Sequence, residues 1–196
     1  MQDKAGPRDI IAELSGMDSS HRISSKYAAR EILHSGQFLF DVVLDKALTG
    51  TDNAAVRCAK ACARAAEENP DFAAKRSKNI ISFILKKPSG GLRYFTASML
   101  RHVKVSIHQS AKCAVLLEKW LSEEKGKGPR ACYLEAVSSL AENNASLKPL
   151  AERLLNEALQ SPVPSFSARA RQIVLRMLKS SKKTGRKQRK KQKNMV

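Results

Sequence analysis

Basic side chains are concentrated at the C-terminus of this 196-residue chain. Nine of the last 18 residues, 179–196, are Lys or Arg, and none is acidic. Such groups neutralise phosphates, so the segment should bind nucleic acid in a salt-dependent, sequence-independent way. We therefore predict nucleic-acid contacts for its inner basic residues, which are Lys182, Lys183, Arg186, Lys187, Arg189, Lys190, Lys191 and Lys193.

The same segment has too few apolar side chains to repay the entropy of ordering, so we predict a disordered basic tail over residues 179–196. It supplies +9 of the formal net charge of +18, and residues 1–178 hold the other +9. A nuclear localisation signal is a second interpretation, compatible with the first. A solubilising tail without a specific ligand is the third.

The chain has four cysteines, whose thiols could bind a metal or react. Cys58 and Cys62 are one helical turn apart. Two metal ligands fit that spacing, but no CxxC pair or nearby His supplies the others. The N-terminus lacks an apolar run of the signal-peptide type, and no stretch of about 18 uncharged apolar residues exists. We therefore expect reduced, buried thiols in an intracellular protein, without metal, cofactor or membrane span.

Residues for acid–base catalysis are sparse. His102 and His108 are six positions apart, off a common helical face, and have no partnered carboxylate in the sequence. The chain also lacks the P-loop, GxGxxG, HExxH and GxSxG motifs. The sequence therefore predicts a protein that is not an enzyme and takes no small-molecule substrate.

The elements that carry these residues are predicted to be helices throughout. Apolar residues recur at i, i+3, i+4 and i+7, and a sustained period of two is not seen, so the fold class is all-α. Glycine after residue 35 and after residue 49, and Asn69-Pro70, should end or restart helices. The expected helices are 7–15, 23–34, 37–48, 53–68, 71–86, 92–104, 109–122, 129–142, 147–160 and 166–179.

An internal repeat organises these helices into pairs. Residues 56–72 recur 75 positions later as residues 131–147, with Ala66 matching Ala141 and a large apolar residue closing both copies. An intermediate copy follows at a shift of 37. Spacings of this size are typical of stacked helix pairs. The alanines and cysteines of the first helices would allow close backbone approach, and bulkier residues on the second helices would fill the seam.

The two copies, VRCAKACARAAEENPDF and RACYLEAVSSLAENNASL, resemble HEAT repeats of the armadillo-like alpha-solenoids. The resemblance implies a right-handed alpha-alpha superhelix of about four HEAT-like helix pairs plus terminal helices, forming one domain over residues 1–178. The sequence lacks the regular Asp/Arg ladder of the strongest family pattern. Second helices of HEAT pairs line a concave surface, and the resemblance therefore implies a groove.

Charge predicts what this groove would accept. No Asp or Glu occurs between Phe72 and Leu117, whereas nine Lys and Arg do, and Lys75, Lys78 and Lys112 fall on second helices. A phosphate backbone or an acidic peptide would complement them, and an ordinary solvated face is the alternative. Aromatic residues do not interleave with the charges, so base stacking is not expected.

Together these features predict a non-enzymatic scaffold or adaptor. It would bind a protein partner, while the tail contacts nucleic acid or directs the protein to the nucleus, or to the cytoplasm where no nucleus exists. A purely protein-binding module is one alternative. A HEAT-like DNA glycosylase is another, but such enzymes need an aromatic lesion pocket beside a carboxylate, and Trp120 has core spacing.

Overall fold

The computed structural model describes the backbone of residues 7–15, 23–88 and 90–193, and the side chains of residues 10–14, 23–88 and 90–179. This part of the chain is all-α and contains no strand. Short 3₁₀ helices follow α7 and precede α10. The α-helices are α1 Pro7–Ser15, α2 Ser25–Ser35, α3 Gln37–Thr49, α4 Asn53–Glu68, α5 Pro70–Lys75, α6 Ser77–Leu85, α7 Gly90–Met99, α8 Ile107–Glu123, α9 Lys127–Asn143, α10 Lys148–Leu159 and α11 Pro164–Lys193.

Local capping explains most of the helix boundaries. The Asp52 carboxylate accepts the Ala55 N–H at 2.7 Å, and Ser106 Oγ accepts the Gln109 N–H at 3.3 Å. Side chains of this kind satisfy backbone donors that a helix start leaves free. Gly36 separates α2 from α3 with φ +85° and ψ −159°, a region that essentially only glycine adopts. The predicted glycine boundary between these helices is confirmed.

Three boundaries differ from the prediction. The helix expected over 92–104 ends at Met99, and the 3₁₀ helix Leu100–His102 follows it. The helix expected over 71–86 is broken at Arg76, whose backbone has φ −103° and ψ 18° and whose guanidinium binds carboxylates of α3. The last helix continues to Lys193 instead of ending near residue 179. Lys, Arg and Gln are good helix formers, and no proline interrupts this stretch. Disorder of the basic tail stays a prediction, and residues 194–196 lie outside the described part.

The helices pack in two series that follow the chain. In one series α2, α4, α7, α9 and α11 contact one another in succession, and in the other α3 contacts α6, which contacts α8. Contacts of α3 with α4 and of α8 with α9 join the two series, and α10 packs against α9 and α11. This arrangement leaves one face of α6 and of α8 in solvent.

The core between the series has the composition that the sequence predicts. Helix α4 buries alanines together with Cys58 and Cys62, so its neighbours approach its backbone closely. Larger side chains fill the opposite side, where Ile84, Trp120 and Leu155 are buried. Burying one such aliphatic side chain contributes about 1.5–3 kcal/mol.

Candidate functional site

The C-terminal basic residues lie on the last part of α11. The backbone is helical to Lys193, and the described side chains end at Lys179. The side chains predicted to contact nucleic acid, from Lys182 to Lys193, are therefore outside the described part. Their role stays a prediction.

The three lysines of the predicted groove are exposed. Lys75 is the last residue of α5, Lys78 is the second residue of α6, and Lys112 lies in α8. Helix α6 packs against α8, so Lys78 and Lys112 belong to adjoining helices. A common groove for the three lysines stays a prediction.

The stretch between Phe72 and Leu117, which has no Asp or Glu, is named the acid-free stretch. Its arginines form ion pairs, whereas its lysines form none within the described part of the chain. Arg76 binds Asp41 and Asp45, Arg93 binds Glu123, and Arg101 binds Glu67 and Glu135. The six lysines are all exposed, and none of them forms an ion pair with the described residues. These six, named the lysine patch here, are Lys75, Lys78, Lys86, Lys87, Lys104 and Lys112. Positive charge is thus left uncompensated at the surface.

One end of α6 and one end of α8 are joined by a hydrogen bond. Ser77, the first residue of α6, accepts the Lys104 N–H on its Oγ at 3.0 Å, three residues before α8 starts. The N-termini of both helices therefore lie at the same end of this surface. Since a helix N-terminus has a partial positive charge, both helices reinforce the field of the lysines there.

Large apolar side chains are exposed beside these charges. Ile107 and Val115 of α8 are 71% and 65% exposed. Ala111 lies midway between them and is also exposed. The sequence analysis missed these residues, although their spacing of four could have shown that they share a face opposite the buried positions Cys113 and Leu117.

A separate charged cluster surrounds Glu135 of α9. Glu135 is only 8% exposed. Its carboxylate accepts hydrogen bonds from Arg169 at 2.7 Å, from Arg101 at 3.2 Å and from Arg176. Burial alone raises the pKa of Glu135, but the hydrogen bonds of Arg169 and Arg176 and the charge of Arg101 outweigh it. The pKa is therefore held below its ordinary value, and the carboxylate is ionised at neutral pH.

This cluster belongs to a regularly spaced series of Glu/Arg contacts, named the Glu/Arg ladder. Glu67, Arg101, Glu135 and Arg169 are in contact in that order, and each step spans 34 residues. Arg153 and Glu118 are joined in the same way over 35 residues. Acidic and basic residues alternate along this series, and every acidic member is Glu. The series therefore differs from the Asp/Arg ladder that the sequence lacks.

A cavity of about 230 Å³ opens beside the cluster and is lined by Tyr94, Arg101, Cys132 and Arg169, among others. Burial raises the pKa of the Cys132 thiol to about 12, so the thiol stays protonated and is a poor nucleophile. The two arginines already bind Glu135. The cavity thus offers neither an activated nucleophile nor an uncommitted arginine.

The two cysteines considered as metal ligands, and Trp120, are buried. Cys58 and Cys62 are fully buried, as predicted, and burial raises the pKa of Cys58 to about 11 and that of Cys62 well above its ordinary value. Within the described ranges, no group of three His, Cys, Asp or Glu side chains could hold a metal ion. Trp120 is buried against Tyr133, with ring centroids 5.8 Å apart, and so lines no open pocket.

Comparison with protein-family models, with curated proteins and with solved structures finds no match to this chain. None of the described helices combines the length and the apolar character needed to cross a membrane.

Proposed function

We propose that this protein is a non-enzymatic scaffold that binds a protein partner on its helical surface and contacts nucleic acid through residues 179–196. One observation carries the proposal. Within the acid-free stretch every arginine is used in an internal ion pair, whereas all six lysines are exposed and unpaired among the described residues. A surface kept free of compensating carboxylates favours an anionic partner.

We further propose that the scaffold is a right-handed HEAT-like superhelix. Two observations support this architecture: the successive contacts of α2, α4, α7, α9 and α11, and the 34-residue steps of the Glu/Arg ladder. In stacked repeats each unit contacts mainly its neighbours, and binding occurs on an extended surface. Such a protein needs no catalytic group to act as an adaptor.

Nucleic-acid binding can be tested by mobility shift with duplex DNA and with RNA at several salt concentrations. We expect the affinity of the full chain to fall steeply with salt, because bound Lys and Arg release counterions from the phosphates. A chain ending at residue 178 should bind more weakly and show a shallower salt slope. Equal slopes for the two chains would contradict a role of the tail.

The protein partner can be sought by capture with the full chain, with and without nuclease. Proteins that remain after nuclease treatment contact the scaffold directly, whereas proteins that are lost were bridged by nucleic acid. Absence of nucleic-acid binding together with nuclease-resistant partners would favour the purely protein-binding alternative. Fusion of residues 179–196 to a fluorescent protein tests nuclear localisation in cells that have a nucleus.

A further inference from the structure

The exposed apolar residues of α8 form a continuous stripe. Ile107, Ala111 and Val115 follow one another at four-residue steps, and residues four apart lie on the same face of an α-helix. These three residues are named the α8 stripe. Single exposed apolar residues are common on proteins, whereas adjoining ones on one helix face form a candidate contact surface.

Lysines lie near both ends of the α8 stripe. Because Ser77 binds the Lys104 N–H, the start of α6 lies at the end of α8 that contains Ile107. Lys78 and Lys104 are therefore near this end. Lys112 is three residues before Val115 on α8 and so lies beside it. Between Phe72 and Leu117 the chain has no carboxylate, and the next one along α8, Glu118, is bound to Arg153.

We propose that the α8 stripe docks an amphipathic helix of a protein partner, with Leu, Ile or Phe against Ile107 and Val115 and with Asp or Glu against Lys78, Lys104 and Lys112. This inference rests on the proposed scaffold function and specifies its partner. A helix laid on an apolar strip with anchors at i, i+4 and i+7 is a common form of peptide recognition.

The combination of apolar residues and lysines favours an acidic amphipathic helix over nucleic acid and over a second copy of this chain. A nucleic-acid backbone would satisfy the lysines but would leave Ile107 and Val115 in contact with polar phosphates. A second copy of this chain, docked through the same face, would place the lysine patch against itself, and like charges would repel. An acidic amphipathic helix buries the apolar residues and neutralises the lysines at once.

The test is a selection from a random library of displayed 20-residue peptides on the immobilised full chain. The pool is depleted on the double variant Ile107→Ser/Val115→Ser, which retains the tail and every lysine, so peptides held only by charge are removed. We expect the remaining peptides to combine Asp and Glu with Leu, Ile or Phe at helical spacing. An enriched pool that is not acidic, or no enrichment at all, overturns the proposal.

Affinities of one selected peptide are then measured by fluorescence anisotropy. Loss of both apolar anchors should weaken binding by roughly tenfold or more, as expected for central anchors of an interface. The variant Lys78→Ser/Lys112→Ser should weaken binding and flatten its salt dependence. The matched variants Tyr27→Ser and Lys26→Ser change exposed residues of α2 and should leave affinity unchanged.

Parallel mobility shifts separate this inference from the proposed function. If Ile107→Ser/Val115→Ser lowers nucleic-acid affinity to the same degree as removal of residues 179–196, the stripe is a nucleic-acid surface and the inference is wrong. If nucleic-acid binding and partner capture persist but the selection enriches no acidic helix, the scaffold function stands and the docking proposal fails. Circular dichroism of each variant verifies that it is folded.

Discussion

At the scale of single residues, Glu135 is a nearly buried charge that the fold depends on. Its carboxylate lies between Arg101, Arg169 and Arg176, and its side chain is 11% exposed. In Glu135→Gln the negative charge disappears and the three guanidiniums repel one another. We expect a loss of about 2 kcal/mol in the free energy of unfolding, below the roughly 3–5 kcal/mol of fully buried pairs because two arginines remain 42% exposed.

Urea unfolding followed by circular dichroism measures this loss. Glu118→Gln is the matched control, because Glu118 also binds an arginine from a neighbouring helix but both side chains are well exposed. Exposed ion pairs contribute little, so this variant should unfold close to the wild type. Equal effects of the two substitutions would show that the burial of Glu135 is unimportant.

The pH dependence of stability should have two windows, each due to a different residue. Burial and the charge of Arg101 lower the pKa of His102 from 6.5 to about 4, against the opposing charge of Glu135. Between these values the unfolded chain takes up a proton that the folded chain refuses, so stability falls as the pH falls from 6.5 to 4. His102→Gln should flatten the curve in this window.

Below pH 4.5 the loss of stability should depend on Glu135. Its pKa is lowered from 4.5 in the folded protein, so the stability it contributes is present above 4.5 and lost as the pH falls through the folded value. Urea midpoints measured at closely spaced pH values should therefore fall less steeply in acid for Glu135→Gln than for the wild type. Parallel curves for both proteins would contradict the assignment.

At the scale of the helices, Gly36 fixes the turn between α2 and α3. Its φ of +85° and ψ of −159° lie in a region that other residues enter only with strain. Gly36→Ala should therefore cost about 1–3 kcal/mol, even though an added Cβ would meet no atom within 4 Å. Gly128→Ala is the control, because Gly128 lies in the first turn of α9 with equally open space. Thermal unfolding should separate the two variants, and equal midpoints would contradict a strained backbone at residue 36.

The same helices show how much the sequence reveals. Boundaries set by local chemistry, such as the Asp52 cap, the glycine at 36 and the Asn69-Pro70 restart, could be predicted because their causes lie within a few residues. The break at Arg76 could not, because it coincides with ion pairs to α3 that are 31 and 35 residues away in the chain. The lysine patch was visible as an acid-free stretch. Its apolar neighbours Ile107 and Val115 were missed, since an apolar residue on a helix is ordinarily assigned to the core.

At the scale of the whole molecule, arginines and lysines occupy different positions in the described structure. Internal ion pairs use mainly arginine, whose planar guanidinium binds two carboxylate oxygens or two carboxylates at once. Arg76, Arg101 and Arg153 each join two acidic side chains. Lysine is left at the surface. The ion pairs between the described helices and the proposed attraction for anionic partners thus depend on different residues.

The superhelix proposed above should unfold locally. Leu154 is buried in α10, and Leu44 is buried in α3 near the other end of the array. Replacing either by Ala should cost about 2–5 kcal/mol through the cavity it leaves. Because the main contacts join successive helices, the loss should concentrate nearby. Amide hydrogen exchange in Leu154→Ala should therefore quicken most in α9, α10 and α11, and in Leu44→Ala in α2, α3 and α4. Uniform acceleration over all helices in both variants would indicate a single cooperative core and contradict the superhelix.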